Sequence, residues 1–185
     1  MEDGGGHDLV IGGSGMLVGL VESLARRGRQ VSVVARGMDR LRRLAARHPN
    51  IHPLPLDYRD GAALEAGLAG AISARGPIRR CVAWMHDDDR DRALKIARMV
   101  QDIYCQVLGS ASADPAKPEE LMHWRQLFAP LRAPVLRLAV LGFVLDGDHA
   151  RWLSNAEISA GVGRALLSAE PVTIVGTVTP WSARP

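Results

Sequence analysis

The sequence predicts an α/β protein, a doubly wound and mostly parallel sheet of about seven strands in a single domain spanning 1–185. Three observations carry this. Short apolar runs alternate with amphipathic helical patterns along the whole chain, the order expected when helices cover both faces of a parallel sheet. The runs are apolar almost throughout, as strands buried on both faces are. The first run, Leu9-Val10-Ile11, stops at Gly12-Gly13-Ser14-Gly15, and a helical pattern (Met16, Leu17, Leu20, Val21, Leu24) leaves at once. Strand, glycine turn and helix start in succession form a cradle for a pyrophosphate. Glycines let the backbone approach closely, and the helix N-terminus offers free N–H groups and a positive dipole end.

The elements follow in order. Residues 1–7 read as a flexible tail. Leu9 to Gly12 is the first strand and Ser14 to Arg27 the first helix, with Gly28 placed to cap it. Val31 to Ala35 is the second strand. Met38 to Arg47 is a helix with Leu41, Leu44 and Ala45 on one face, broken by Pro49-Asn50. Ile51 to Leu56 is the third strand, which Pro53 and Pro55 make weak or irregular. Asp60 caps a helix that ends at Gly76-Pro77, and Arg80 to Met85 is the fourth strand. Asp89 to Val100 is a helix with Ala93, Ile96, Ala97 and Val100 on one face; the acidic residues Asp87 to Asp89 and Asp91 suit its N-terminus.

Ile103 to Leu108 is the fifth strand, Ser110 to Pro118 a loop, and Glu119 to Phe128 a short helix. Val135 to Leu145 reads as one long strand, closed by a turn at Asp146-Gly147-Asp148. Ser154 to Ser168 is a helix opened by a capping box, with Ser154 at the cap and Glu157 three residues on. Val172 to Val178 is the last strand, followed by the tail TPWSARP; a family resemblance given below implies that residues 110–170 form the substrate side.

Composition narrows the function. The 185 residues are 47% hydrophobic and 23% charged, which suits a globular domain rather than a disordered chain. No apolar run approaches the roughly 20 residues of a membrane span. The start MEDGGGHD does not have the pattern of an export signal, so Cys81 and Cys105 are expected as buried free thiols and a cytoplasmic location is the default. The net charge of +3 rests almost wholly on arginine, since Lys95 and Lys117 are the only lysines. The basic residues are scattered and aromatics make up only 4%, so no stacking platform for nucleic acid is expected. His7, His48, His52, His123 and His149 lack metal-ligand spacing, there is no GxSxG elbow, and the glycine turn lacks the lysine of a P-loop.

Gly12-Gly13-Ser14-Gly15-Met16-Leu17 resembles the turn of the short-chain dehydrogenase/reductase (SDR) proteins, in the variants written GGxGxxG. The resemblance implies a Rossmann fold and a bound NADP(H). It makes Gly12, Gly13, Ser14, Gly15, Met16 and Leu17 the cofactor turn. Arg36, at the end of the second strand, stands where relatives that prefer NADP carry a basic residue. A guanidinium forks onto the ribose 2′-phosphate there, and Arg40, a turn later, would assist. Asp57 stands where an Asp contacts the adenine, with Tyr58 beside it; Trp84 and Met85 stand where the family has a small-residue segment beside the ribose.

The departures are as informative. Val18 replaces the third glycine, with Gly19 next to it. The Tyr and Lys of SDR catalysis are absent: the chain's tyrosines are Tyr58 and Tyr104, and four residues on stand Ala62 and Leu108. Segments such as Leu141-Gly142-Phe143-Val144, Arg151-Trp152-Leu153, Glu157-Ile158-Ser159 and Pro180-Trp181 resemble a small bacterial group of SDR-like proteins, which implies family and not reaction.

Ligands of doubly wound sheets sit outside the carboxyl ends of the strands, which selects the remaining candidates. His86 would donate a proton to a substrate reduced by hydride, or it is a solvent-facing or capping histidine. Ser110 would hold a carbonyl or imine, or it is a loop serine. Arg151 would clamp an anionic substrate and Trp152 wall its pocket, or Trp152 packs on the core with Arg151 in solvent. Trp181 would bury in a homodimer interface or on its own domain. Two functions are therefore expected to compete: an NADPH-dependent reductase of a small C=O or C=N substrate without a Tyr–Lys pair, and a non-catalytic NADP-binding sensor or accessory protein.

Overall fold

A computed structural model describes residues 5–86, 89–147 and 149–185. Its centre is a seven-stranded parallel sheet in the order β3-β2-β1-β4-β5-β6-β9. The strands are β1 (His7–Ile11), β2 (Gln30–Ala35), β3 (Ile51–Pro55), β4 (Ile78–Ala83), β5 (Val100–Leu108), β6 (Val135–Leu141) and β9 (Val172–Val175). The helices are α1 (Val18–Arg26), α2 (Met38–Ala45), α3 (Gly61–Arg75), α4 (Arg90–Ala97), α5 (Glu120–Phe128) and α6 (Asn155–Leu167). The expected α/β, Rossmann-like doubly wound architecture is present.

Strand alternation explains why both faces are covered. Val10, Val33, Val82, Val107 and Ala139 face one core, closed by α1, α2 and α6. Leu9, Ile11, Val34, Ala83 and Val140 face the other, closed by α3, α4 and α5. Strand order reverses between β1 and β4, so the crevice beside the end of β1 is the switch point where such sheets bind ligands. Pro53 and Pro55 are tolerated because β3 is an edge strand. The expected caps are present: Asp60 accepts from Ala63 N–H at 3.0 Å, and Ser154 and Glu157 form the capping box. Cys81 and Cys105 are buried free thiols, and burial pushes the Cys105 thiol up to about 12. No helix among the described residues is long and apolar enough to cross a membrane.

Five expectations are corrected. His7 is no tail residue: it is 1% exposed and opens β1, while residues 1–4 of that expected tail lie outside the described residues. Helix α1 starts at Val18 rather than Ser14, because a glycine-rich stretch has little helix propensity and stays a turn. Val100 opens β5 opposite Ile78 instead of closing α4, which ends three residues earlier. The long strand expected over 135–145 breaks at Gly142. A Cβ there would lie 2.0 Å from the Thr177 carbonyl, so the segment after β9 crosses hard against the backbone. Beyond the break, β7 (Phe143–Asp146) leaves the sheet and pairs antiparallel with β8 (His149–Trp152), a strand the sequence does not announce; the turn residue Asp148 lies outside the described residues. The last strand stops at Val175 because Gly176, at φ +79°, bends the chain away.

At the amino end of the sheet, His7 is held neutral. Its Nδ1 lies 2.8 Å from the Gly76 carbonyl, which can only accept, so Nδ1 carries the hydrogen and Nε2 accepts from the Ser32 hydroxyl at 2.8 Å. Burial first, with the charge of Arg75, holds His7 below its ordinary value, and burial lowers His52 too. The unfolded chain protonates these imidazoles below about pH 6.5 while the folded chain does not. It therefore binds more protons there, and stability falls as pH drops from about 6.5 toward the depressed folded values. Melting temperature recorded against pH should show this fall, and His7→Gln should flatten it; an unchanged slope in the variant would refute the assignment.

Candidate functional site

Gly12 to Leu17 form the turn after β1, at the switch point. Gly12 has φ +77°, donates its N–H to Val34 C=O at 3.0 Å, and has Trp84 against it: a Cβ would lie 2.6 Å from the Trp84 carbonyl. Gly13 is pressed on the core, where a Cβ would come within 2.9 Å of Val10 and Val33 methyls. Gly15 is open to solvent, Ser14 and Met16 are half-buried, and Leu17 is fully buried and so offers only its backbone. The amides of Gly13 through Leu17 make no well-formed hydrogen bond to any described residue. The late start of α1 thus leaves these amides in a succession of loose turns rather than in a helix. On the outer side, Ser159 of α6 donates its hydroxyl to Met16 C=O at 2.8 Å and packs on Gly19. Gly19, not the missing third glycine, supplies the close approach, and it does so toward α6.

Arg36, just past β2, and Arg40, in α2, are exposed; Arg40 bends back so that its Nε covers Gly37. Neither has a carboxylate partner among the described residues. Asp57 spends one carboxylate oxygen on Arg59 N–H at 3.0 Å, a local turn contact. Tyr58 is 9% exposed and its hydroxyl accepts from His86 N–H at 3.1 Å, so it props the β4 segment from below. Trp84 is half-buried, its backbone N–H donating to Ile11 C=O, with its ring edge-on to His86 at 5.2 Å. Met85 is in the core at 7% exposure, and His86 is exposed. The fold thus brings the glycine turn, Asp57-Tyr58 and Trp84-Met85-His86 together.

A second cluster sits past β5 and β6 on the same edge. Ser110 is 5% exposed and opens a single 3-10 turn, Ser110–Ala113. Arg151 forms a two-pronged pair with Glu157, both contacts at 2.9 Å; Arg151 and the Ser154 cap hold the Glu157 carboxyl well below the usual carboxylate range. Arg151 is therefore neutralised as an anion clamp. Trp152 does not pack on the core; it is 48% exposed.

The residue that sequence reasoning missed is Arg184. Phe143 and Thr177 exchange backbone hydrogen bonds at 2.9 and 2.8 Å, which carries the final segment across the carboxyl edge. A 3-10 turn at Trp181–Ala183 then delivers Arg184, whose Nε donates to Ser110 Oγ at 2.8 Å. Its guanidinium carbon lies 5.3 Å from the Trp152 ring centre and 5.2 Å from that of Trp181. The W-x-x-R spacing was the available signal, since residues three apart eclipse in a 3-10 turn.

Among the described residues no cluster of His, Cys, Asp or Glu could hold a metal ion. Larger hollows lie elsewhere: about 890 Å³ between α1 and α6, and about 700 Å³ between α3 and α4. They are grooves along helix pairs, and Arg27 and Arg164 line the first of them; we place the site at the strand ends because the glycine turn lies there, at the switch point. Fold and topology define a Rossmann-like α/β protein. No protein-family model matches the chain, and no curated protein matches it.

Proposed function

We propose that the chain binds NADP(H) across the carboxyl ends of β1, β2 and β4, and reduces a small C=O or C=N substrate bound past β5. The observation that carries this reading is the glycine turn at the switch point, whose amides make no well-formed hydrogen bond to a described residue, with Arg36 unpaired past the neighbouring strand. The residues fit the cofactor. Free N–H groups suit a pyrophosphate, Gly12 and Gly13 keep the backbone bare where a ligand must approach, and Arg36 with Arg40 suits a ribose 2′-phosphate. Trp84 narrows the crevice and gives the ligand an indole to lie along.

Bound there, NADPH would supply hydride chemistry for the carbonyl or imine carbon, and the heteroatom would need a proton. The chain offers exposed His86 and the Ser110 hydroxyl for that proton. The alternative, a nucleotide sensor or accessory protein without redox chemistry, is favoured by one observation. Both tyrosines are in the core, and Tyr104 spends its hydroxyl on Gln106 at 3.1 Å, so no Tyr–Lys couple can form. The resemblance to SDR proteins supports cofactor binding under either reading.

Titration with NADPH should quench the indole emission of Trp84 and transfer it to the nicotinamide. Absence of binding by calorimetry removes both readings. Binding without NADPH oxidation across ketones and cyclic imines leaves the sensor.

A further inference from the structure

We propose that Arg184 is a substrate-anion receptor: it binds a carboxylate on the substrate and orients Ser110 toward the polar group next to that carboxylate. This rests on the reading of the neighbouring crevice as an NADP(H) site. Four observations carry it. The guanidinium uses only Nε within the fold, on Ser110, and its two terminal nitrogens have no acceptor among the described residues. Those nitrogens are the ones that fork onto a carboxylate. Trp152 and Trp181 both lie within cation–π range, so the cation is held in place rather than swinging in solvent. Two large, partly exposed indoles, one closing β8 and one in the final segment, are otherwise an unfavourable use of apolar surface.

The contrast with Arg151 is the third observation. Both arginines stand near Trp152, but Arg151 already has Glu157 while Arg184 has no carboxylate among the described residues. An anion arriving at this edge therefore meets uncompensated charge at Arg184.

Ser110 supplies the fourth. Its side chain is buried, and its oxygen already accepts from Arg184. No described residue accepts its O–H, so the hydroxyl keeps a donor to give a ligand. Carboxylate and Ser110 would share one guanidinium, which places the group receiving the Ser110 proton within a bond or two of the carboxylate. The substrate class is therefore a 2-oxo acid or a cyclic imine bearing an adjacent carboxylate.

The test uses oxamate, a carboxylate beside a carbonyl that does not accept hydride, and its neutral ethyl ester. Both are titrated calorimetrically into the full chain, with and without saturating NADP⁺, alongside a separate NADPH titration. Oxamate should bind, the ester should not, and Arg184→Gln should weaken oxamate about tenfold or more, the worth of one charged pairing, while leaving NADPH affinity unchanged. Arg184→Lys, which keeps the charge and loses the fork, should fall between, and thermal melts check that both variants fold. Equal oxamate affinity in Arg184→Gln, tighter binding in that variant, or no binding by the parent overturns the proposal. NADPH binding without oxamate binding sinks the anion receptor alone; failure of NADPH binding with an Arg184-dependent oxamate signal sinks the cofactor reading alone.

Discussion

Asp8→Asn is expected to lower the unfolding free energy by about 3–5 kcal/mol, the range for breaking a buried ion pair from one side. Asp8 is 1% exposed, and Arg29 and Arg80, at 4% and 7%, both fork onto it. Arg29 donates from Nε at 3.0 Å and Nη2 at 2.6 Å; Arg80 donates from Nε at 3.1 Å and Nη2 at 2.8 Å. Asparagine keeps the volume and one acceptor, so the measured loss is that of the negative charge facing two buried cations. The position is central. Asp8 lies on β1 directly opposite Arg80 on β4, and Arg29 precedes β2, so the carboxylate fixes the register of three adjacent strands. Against a typical total of about 5–15 kcal/mol, this is roughly a third or more of the stability of an average domain. Urea unfolding reads it directly, and a change below about 1 kcal/mol would make the triad no better than a surface pair.

Arg36→Asp should weaken NADPH about 10–100-fold and leave NADH within a factor of about three, because a hydrogen-bonded charge contact is worth about 1.5–3 kcal/mol. The guanidinium is exposed at the end of β2 and makes no ion pair among the described residues, so its replacement should leave folding stability within about 0.5 kcal/mol. That separation makes the experiment clean. A carboxylate at this position repels a 2′-phosphate and tolerates a 2′-hydroxyl. Arg40 bends toward the same turn, so the double variant Arg36→Asp, Arg40→Ala should lose further NADPH affinity. Calorimetric titration of both nucleotides decides the matter, and parallel losses for NADPH and NADH would remove the 2′-phosphate assignment.

Much of the fold was legible because its signals are local. The glycine turn, the Asp60 cap and the Ser154–Glu157 box each lie within a few residues, and strand alternation is carried by runs of valine and leucine. Where the reading failed, a distant contact decided the outcome. Nothing near Gly142 announces that Thr177 will cross it, and without that crossing 135–145 is a plausible single strand. Val100 fits a helix face and a buried strand equally well, and its pairing with Ile78 settled it. In the candidate site, the position of each residue past its strand was readable from the motif. Whether its side chain was free was not: Tyr58 is spent on His86, Met85 on the core and Arg151 on Glu157.

By itself, the sequence determined the doubly wound fold class and a glycine turn after the first strand with Arg36 after the second. Only the tertiary structure decided the fate of the charges. Asp8 meets Arg80 across 72 residues, and Ser110 meets Arg184 across 74. The physical reason is that hydrophobic periodicity is a property of a short window, whereas a charged group's state depends on the counter-charge or indole that folding brings to it. An arginine destined for a buried carboxylate and one left without a carboxylate among the described residues are spelled alike, and Arg80 and Arg184 part company only when the sheet closes the distance.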